Sequence, residues 1–162
     1  MTSAAEAVAA LGAAGASVAT AESLTGGLLC ATLVSVPGAS TVVRGGVVAY
    51  APDLKSTLLG VDPALIAERG TVDADVAAAM ARGARDRLGA TYGLSTTGVA
   101  GPDPSEGKPA GTVHVAVAGP SGVRTQLLAL SGDRDAIRQG TVAALLSMLV
   151  ATLGEETRTV RG

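Results

Sequence analysis

The sequence predicts an α/β fold: a single three-layer α/β/α domain with a mixed, mostly parallel sheet and one antiparallel hairpin. Three observations lead there. Strand-like and helix-like runs alternate along most of the chain. Two strand patterns near the end flank the turn Gly119-Pro120-Ser121-Gly122 and read as a hairpin. The 162 residues contain no internal repeat and no linker, and they suffice for one core but not for two ordinary domains. The domain is expected over 1–154, with 155–162 as a frayed polar tail.

Residues 3–14 are alanine-rich, with Ala4, Val8 and Leu11 at helical spacing, and Gly15 closes the run. Ala16–Thr20 reads as a strand leading into a turn at Ser23, and a helix follows from Leu28 until Pro37-Gly38 stops it. Cys30 sits in that helix among leucines, as a small core residue. The apolar run Val42–Ala49 reads as a strand covered on both faces and ends at Tyr50. Asp53–Leu59 is a short helical turn carrying Lys55. Asp62-Pro63 opens a short helix that Gly70 ends. Asp73 caps a longer helix over 74–88, with Val76, Met80, Ala84 and Leu88 in one stripe and Arg82, Arg85, Asp86 and Arg87 on a solvated face. Tyr92–Thr96 is the next strand, and a glycine- and proline-rich loop of about a dozen residues follows, a length usual for functional or disordered segments. Gly111–Ala118 alternates as a strand with His114 in its middle, which reads as a structural or partly buried histidine, with a catalytic role as the alternative. Val123–Leu130 completes the hairpin. Asp133 caps a final helix over 134–153, with Ile137, Val142, Leu145, Leu146 and Leu149 inward.

The composition is 48% hydrophobic with no Phe or Trp and only two Tyr, so the core must pack small aliphatic side chains closely. A net charge of −2 gives no electrostatic case for nucleic acid or an anionic membrane. No apolar run reaches a membrane span without a charge or glycine, and the N-terminus lacks the basic segment of a signal peptide. One cysteine excludes an internal disulfide, and one histidine argues against a conventional zinc site. The expected setting is the cytoplasm, with no metal and no cofactor.

The chemistry centres on Thr20-Ala21-Glu22-Ser23-Leu24-Thr25-Gly26-Gly27. A serine at a strand-to-helix turn lies at a sheet edge beside unpaired helix N–H groups. Two glycines there cost helix stability and remove side chains from the path of a bound group. Ser23, Tyr50 and the Thr97–Gly101 loop all follow strand ends, where ligands bind in such folds. With its only histidine mid-strand, the chain supports a Ser-Lys pair better than a Ser-His-Asp triad. Lys55 is the candidate base if burial lowers its pKa, Tyr50 the candidate relay, and the Thr25–Gly27 amides candidate oxyanion donors. The same residues also fit a structural turn capped by Ser23 and a surface Lys55.

The Thr20–Gly27 segment resembles the signature of the CinA C-terminal domain family, the competence/damage-inducible proteins. The resemblance continues through Gly45-Gly46-Val47-Val48-Ala49-Tyr50 with Lys55, Leu59-Gly60-Val61, Thr97-Gly98-Val99-Ala100-Gly101-Pro102, Lys108-Pro109-Ala110-Gly111-Thr112-Val113, and Ser131-Gly132-Asp133-Arg134 with Arg138. It spans about residues 3–153. It implies an amidohydrolase converting nicotinamide mononucleotide to nicotinic acid mononucleotide and ammonia, in pyridine nucleotide recycling toward NAD. On that resemblance Ser23 is the nucleophile and Tyr50 and Lys55 activate it. Thr25, Gly26, Gly27, Thr97, Gly98, Ala100 and Gly101 are candidates to hold the substrate, with Arg44 or Arg134 for its phosphate. The expected partners are this small nucleotide and a second copy in a homodimer.

Leu24 replaces the common cysteine after the nucleophile, and Ala51-Pro52 replaces polar residues expected after Tyr50. The additional N-terminal nucleotide-processing domain of some members is not seen, so its activity is expected to be absent. Two further readings stand beside the deamidase: a non-catalytic nucleotide-binding or interaction module in competence or DNA-damage responses, and an amidase for another small carboxamide.

Overall fold

A computed structural model of the chain describes residues 2–162. The interior strand β1 (Val18–Glu22) has all five residues buried. β2 (Val43–Val48) and β3 (Tyr92–Gly98) flank β1, both parallel to it. β4 (Thr112–Gly119) runs antiparallel to β3, and β5 (Gly122–Ala129) antiparallel to β4, giving the order β2-β1-β3-β4-β5. The expected mixed sheet and terminal hairpin are both present. Its pairings divide evenly between parallel and antiparallel, because the loop after β3 returns the chain beside β3 without a helical crossover.

Six helices cover the two faces. α1 (Ala4–Ala13), α2 (Leu28–Val34) and α6 (Arg134–Arg161) lie on one face, over Val18, Leu94, Val113, Val115 and Val117. α3 (Pro52–Leu59), α4 (Pro63–Arg69) and α5 (Ala74–Arg87) lie on the other, over Ala19, Ala21, Ala116 and Ala118. The second face shows how a core without Phe or Trp closes. A Cβ on Gly93 would come 1.9 Å from the Ala81 carbonyl oxygen, and Ser95 Oγ donates to Ala77 O at 2.5 Å, so α5 lies directly on the sheet. The sequence-level caps hold: Asp62, Asp73 and Asp133 each accept backbone N–H groups at the start of α4, α5 and α6.

Three local expectations are corrected. β2 is an edge strand whose burial alternates, with Val48 46% exposed; an apolar run resembles a doubly covered strand even when only one neighbour pairs with it. The segment 155–162 is not frayed: α6 continues to Arg161, held by Tyr92 Oη donating to Glu156 and an Arg124–Glu155 ion pair. The arginines of α5 are not simply solvated, since Arg85 donates to Gly119 O at 2.9 Å and Arg87 to Thr57 O and Leu58 O at 3.1 and 2.9 Å. α6 has the length and hydropathy to cross a bilayer, but Ile137, Leu145, Leu146 and Leu149 occupy it with the core.

The connections fix where a ligand can sit. The β1–β2 crossover carries α2 on one face, and the path from β2 to β3 carries α3, α4 and α5 on the other. Chain ends therefore diverge at the carboxyl edge of β1, the switch point at which open α/β sheets form a crevice.

Candidate active site

Ser23 is the first residue after β1 and is 8% exposed. Its N–H donates to Thr96 O on β3 at 3.0 Å, which continues the strand pairing one step past Glu22. The turn that follows is clamped from α6: Arg138 Nε donates to Leu24 O and its Nη2 to Thr25 O, both at 3.0 Å. Gly26 and Gly27 have φ of +57° and +102°, so their left-handed backbone, not clearance for a ligand, explains the glycine pair. α2 starts at Leu28 with Gly27 at its N-cap, so Ser23 is not the cap. Glu22 supplies that cap: its carboxylate accepts from Leu29 N at 2.8 Å and Cys30 N at 3.0 Å while itself 0% exposed.

Lys55 is the largest fully buried side chain, at 1% exposure. This overturns the surface-lysine alternative. It shares the inner face of α3 with Leu59, one turn on. Its ammonium donates to Ser23 Oγ at 3.1 Å, Ala49 O at 2.7 Å and Tyr50 O at 3.2 Å, which uses all three N–H bonds. Burial pushes its pKa down from 10.5 to about 8, and the Glu106 carboxylate opposes part of that fall.

A cavity of about 450 Å³ opens beside Ser23, lined by Leu24, Tyr50, Thr71, Val72, the Gly98–Asp103 backbone, Ser105, Glu106 and Arg134. Of the residues singled out from sequence, Ser23, Tyr50, Gly98, Ala100 and Gly101 line it, and Lys55 reaches its floor through Ser23. Others are not brought there. Thr25, Gly26 and Gly27 lie outside the lining: Thr25 Oγ1 is bonded to Thr96 Oγ1 at 2.8 Å, and Gly26 N donates to Ser23 O at 3.0 Å. Thr97 Oγ1 donates to Thr71 O at 2.7 Å, fastening two walls together behind the cavity. Arg44, at the amino end of β2, donates to Leu88 O at 2.6 Å and is away from the carboxyl edge altogether. Its place at the rim is taken by Arg134, whose Nη1 donates to Gly101 O at 2.6 Å and Nη2 to Tyr50 Oη at 3.3 Å. Tyr50 is 61% exposed, and its phenol meets Arg134 rather than Lys55 or Ser23; its carbonyl is what touches the lysine. His114 sits mid-strand outside the cavity with Nδ1 buried and unpaired, and burial holds its pKa below the usual value.

Glu22, Arg138 and Glu106 were not identified as site-building residues from sequence alone. Glu22 had a signal: an acidic residue closing a strand buried along its length must find donors. The other two depend on contacts more than thirty residues away along the chain.

A model of the CinA C-terminal domain matches residues 1–153. The chain belongs to the CinA C-terminal domain family. A CinA-like protein of Frankia casuarinae is 54% identical over 134 residues, 83% of this chain and 31% of the relative. A CinA-like protein of Anaeromyxobacter dehalogenans is 49% identical over 143 residues, 88% of this chain and 35% of the relative. The chain thus spans about a third of the length of these curated relatives. The crystal structure of a competence-damaged protein (CinA) superfamily protein from Klebsiella pneumoniae aligns with a TM-score of 0.92 at 30% identity, covering 94% of this chain and 96% of that one. That of the competence/damage-inducible protein CihA from Agrobacterium tumefaciens aligns with a TM-score of 0.88 at 37% identity, covering 93% of each. The open α/β sheet is therefore a family feature.

Proposed function

We propose that this chain is a serine amidohydrolase that removes ammonia from the carboxamide of nicotinamide mononucleotide, with Ser23 as nucleophile and Lys55 as its base, in pyridine nucleotide recycling. The observation that carries the chemistry is the Lys55 Nζ–Ser23 Oγ contact at 3.1 Å, flanked by two backbone acceptors. A neutral amine has two N–H bonds and one lone pair. Ala49 O and Tyr50 O take the two N–H bonds and leave the lone pair directed at Ser23 Oγ. A pKa of about 8 keeps a usable fraction of that free base near neutral pH.

In the proposed reaction Ser23 Oγ forms a bond to the carboxamide carbon as its proton passes to Lys55. The C–N bond of the tetrahedral adduct then breaks, and Lys55 returns the proton to the departing nitrogen, which leaves as ammonia. Water then adds to the acyl carbon as one of its protons passes to Lys55; the C–Oγ bond breaks, Lys55 returns that proton to Ser23 Oγ, and the acid product ionises to a carboxylate by losing its proton to solvent. With the Gly26 N–H spent on Ser23 O, we assign the developing oxyanion to backbone N–H groups at Leu24 and Ala100–Gly101, whose residues line the cavity. The substrate choice rests on the family resemblance and is supported by the cavity's size, its glycine-lined wall, and Arg134 at the rim for a phosphate.

The test is ammonia release from nicotinamide mononucleotide by the native chain, Ser23→Ala and Lys55→Ala. Loss of at least about a hundredfold in kcat in both variants is expected. Full activity in Ser23→Ala overturns the nucleophile assignment; an inactive, folded native chain overturns the substrate.

A further inference from the structure

Glu106 occupies an unusual place. It sits at the tip of the loop between β3 and β4, where Ser105 and Lys108 exchange backbone hydrogen bonds at 3.0 and 2.9 Å around a tight turn. Its φ is +53°, the one positive value at a non-glycine among the described residues. A non-glycine residue is held there only when its surroundings over-determine it. What holds it is the side chain. Oε1 accepts from Thr71 N at 2.7 Å, and Oε2 accepts from Thr71 Oγ1 at 2.7 Å and Val72 N at 3.2 Å. Lys108 Nζ donates to Val72 O from the same turn. In the connection between α4 and α5 a Cβ on Gly70 would fall 1.9 Å from Oε1, so the 70–72 segment is cut to receive this carboxylate. Thr71, Val72 and Glu106 all line the Ser23 cavity.

We infer that Glu106 is a positioning residue for the Ser23–Lys55 site: its carboxylate buckles the loop onto Thr71 and Val72, holding one wall of the cavity and a negative charge within reach of the buried ammonium. This rests on the function proposed above. Among the described residues no ion pair engages Lys55, whose ammonium contacts are the Ser23 hydroxyl and the Ala49 and Tyr50 carbonyls. Glu106 lines the same cavity as Ser23, to which the Lys55 ammonium donates, and its carboxylate favours the protonated form of Lys55. The two roles separate by substitution. Glu106→Gln removes the charge and keeps the side-chain length. Thr71→Val removes one donor from the buckle and keeps the charge.

The chain has two lysines, so protein labelled with 13C at lysine Cε gives two titrating resonances, distinguished by Lys108→Arg. The expected result is a Lys55 midpoint a few tenths of a pH unit lower in Glu106→Gln and unmoved in Thr71→Val. KM for nicotinamide mononucleotide rises several-fold in both. A Lys55 midpoint in folded Glu106→Gln equal to the native one overturns the inference, as does a native KM in both variants. A native chain without turnover refutes the proposed function instead, and the two lysine midpoints then decide the inference alone.

Discussion

The depressed pKa of Lys55 makes stability depend on pH in a way that one substitution removes. In the unfolded chain the amine titrates near 10.5, and in the folded chain near 8. Between these values the unfolded state binds more protons, so stability rises with pH across that window. Below pH 8 both states are protonated, and the cost of the buried ammonium is fully present. Integrating from pH 7 to 9.5 gives about 2 kcal/mol; the open cavity beside Ser23 screens the site, and about 1–2 kcal/mol is the expected gain. Lys55→Met keeps the length of the side chain and abolishes the titration. Its absolute stability also reflects Ala49 O and Tyr50 O losing a donor, so the informative quantity is the pH slope. Denaturant melts of both proteins at pH 7, 8 and 9.5 should show the native chain gaining stability relative to Lys55→Met. Tyr92 does not confuse this window, because burial and Glu156 move its phenol further above 10. The same titration places the acid limb of kcat/KM near pH 8. Parallel slopes in the two proteins would refute the reasoning, since Lys55 would then titrate at its ordinary value.

Two other perturbations follow from the geometry. Arg134→Ala should raise KM for nicotinamide mononucleotide roughly tenfold or more, the worth of a charge-assisted hydrogen bond, and leave KM for the phosphate-free riboside nearly unchanged; equal effects on both would remove Arg134 from phosphate binding. Glu22→Gln should cost about 1–3 kcal/mol by denaturant melt, because the two carboxylate oxygens accept separately from Leu29 N and Cys30 N and the amide would set an NH2 donor against one of those N–H groups; a change below about 0.5 kcal/mol would mean that α2 does not depend on this cap.

Much of the fold was legible because its signals are local. Asp62-Pro63, Asp73, Asp133 and the Gly119–Gly122 turn set element boundaries through their immediate neighbours. Strand order was not, since β2 presents the same apolar run at an edge as it would in the middle of a sheet. Arg44 was drawn toward the site by its charge, and only the strand direction shows that it lies at the wrong end. The tail beyond 154 reads as polar, yet Glu155 and Glu156 are spent on Arg124 and Tyr92, partners no local pattern reveals.

The Ser-Lys pair shows where the boundary between local and global information falls. Residue types and the strand-end position of Ser23 are local. Burial of Lys55 was also half-visible, since Leu59 lies one helical turn on and therefore shares its face. The distance between the two groups comes from sheet register. β1 and β2 pair Glu22 with Val48, and Ala49 N donates to Glu22 O at 2.9 Å, so the pairing runs one residue past β2. That extension fixes the Ala49 and Tyr50 carbonyls beside Ser23 before the chain turns into α3 at Pro52. Lys55, on the first turn of that helix, then meets two acceptors already in place. A shift of β2 by one residue would exchange the faces of its side chains and carry both carbonyls away from Ser23. The site is thus a consequence of two parallel strands ending in register, and Gly46 helps hold that register: any Cβ there would come 2.3 Å from Thr20 Oγ1 and 3.1 Å from Cys30 Sγ.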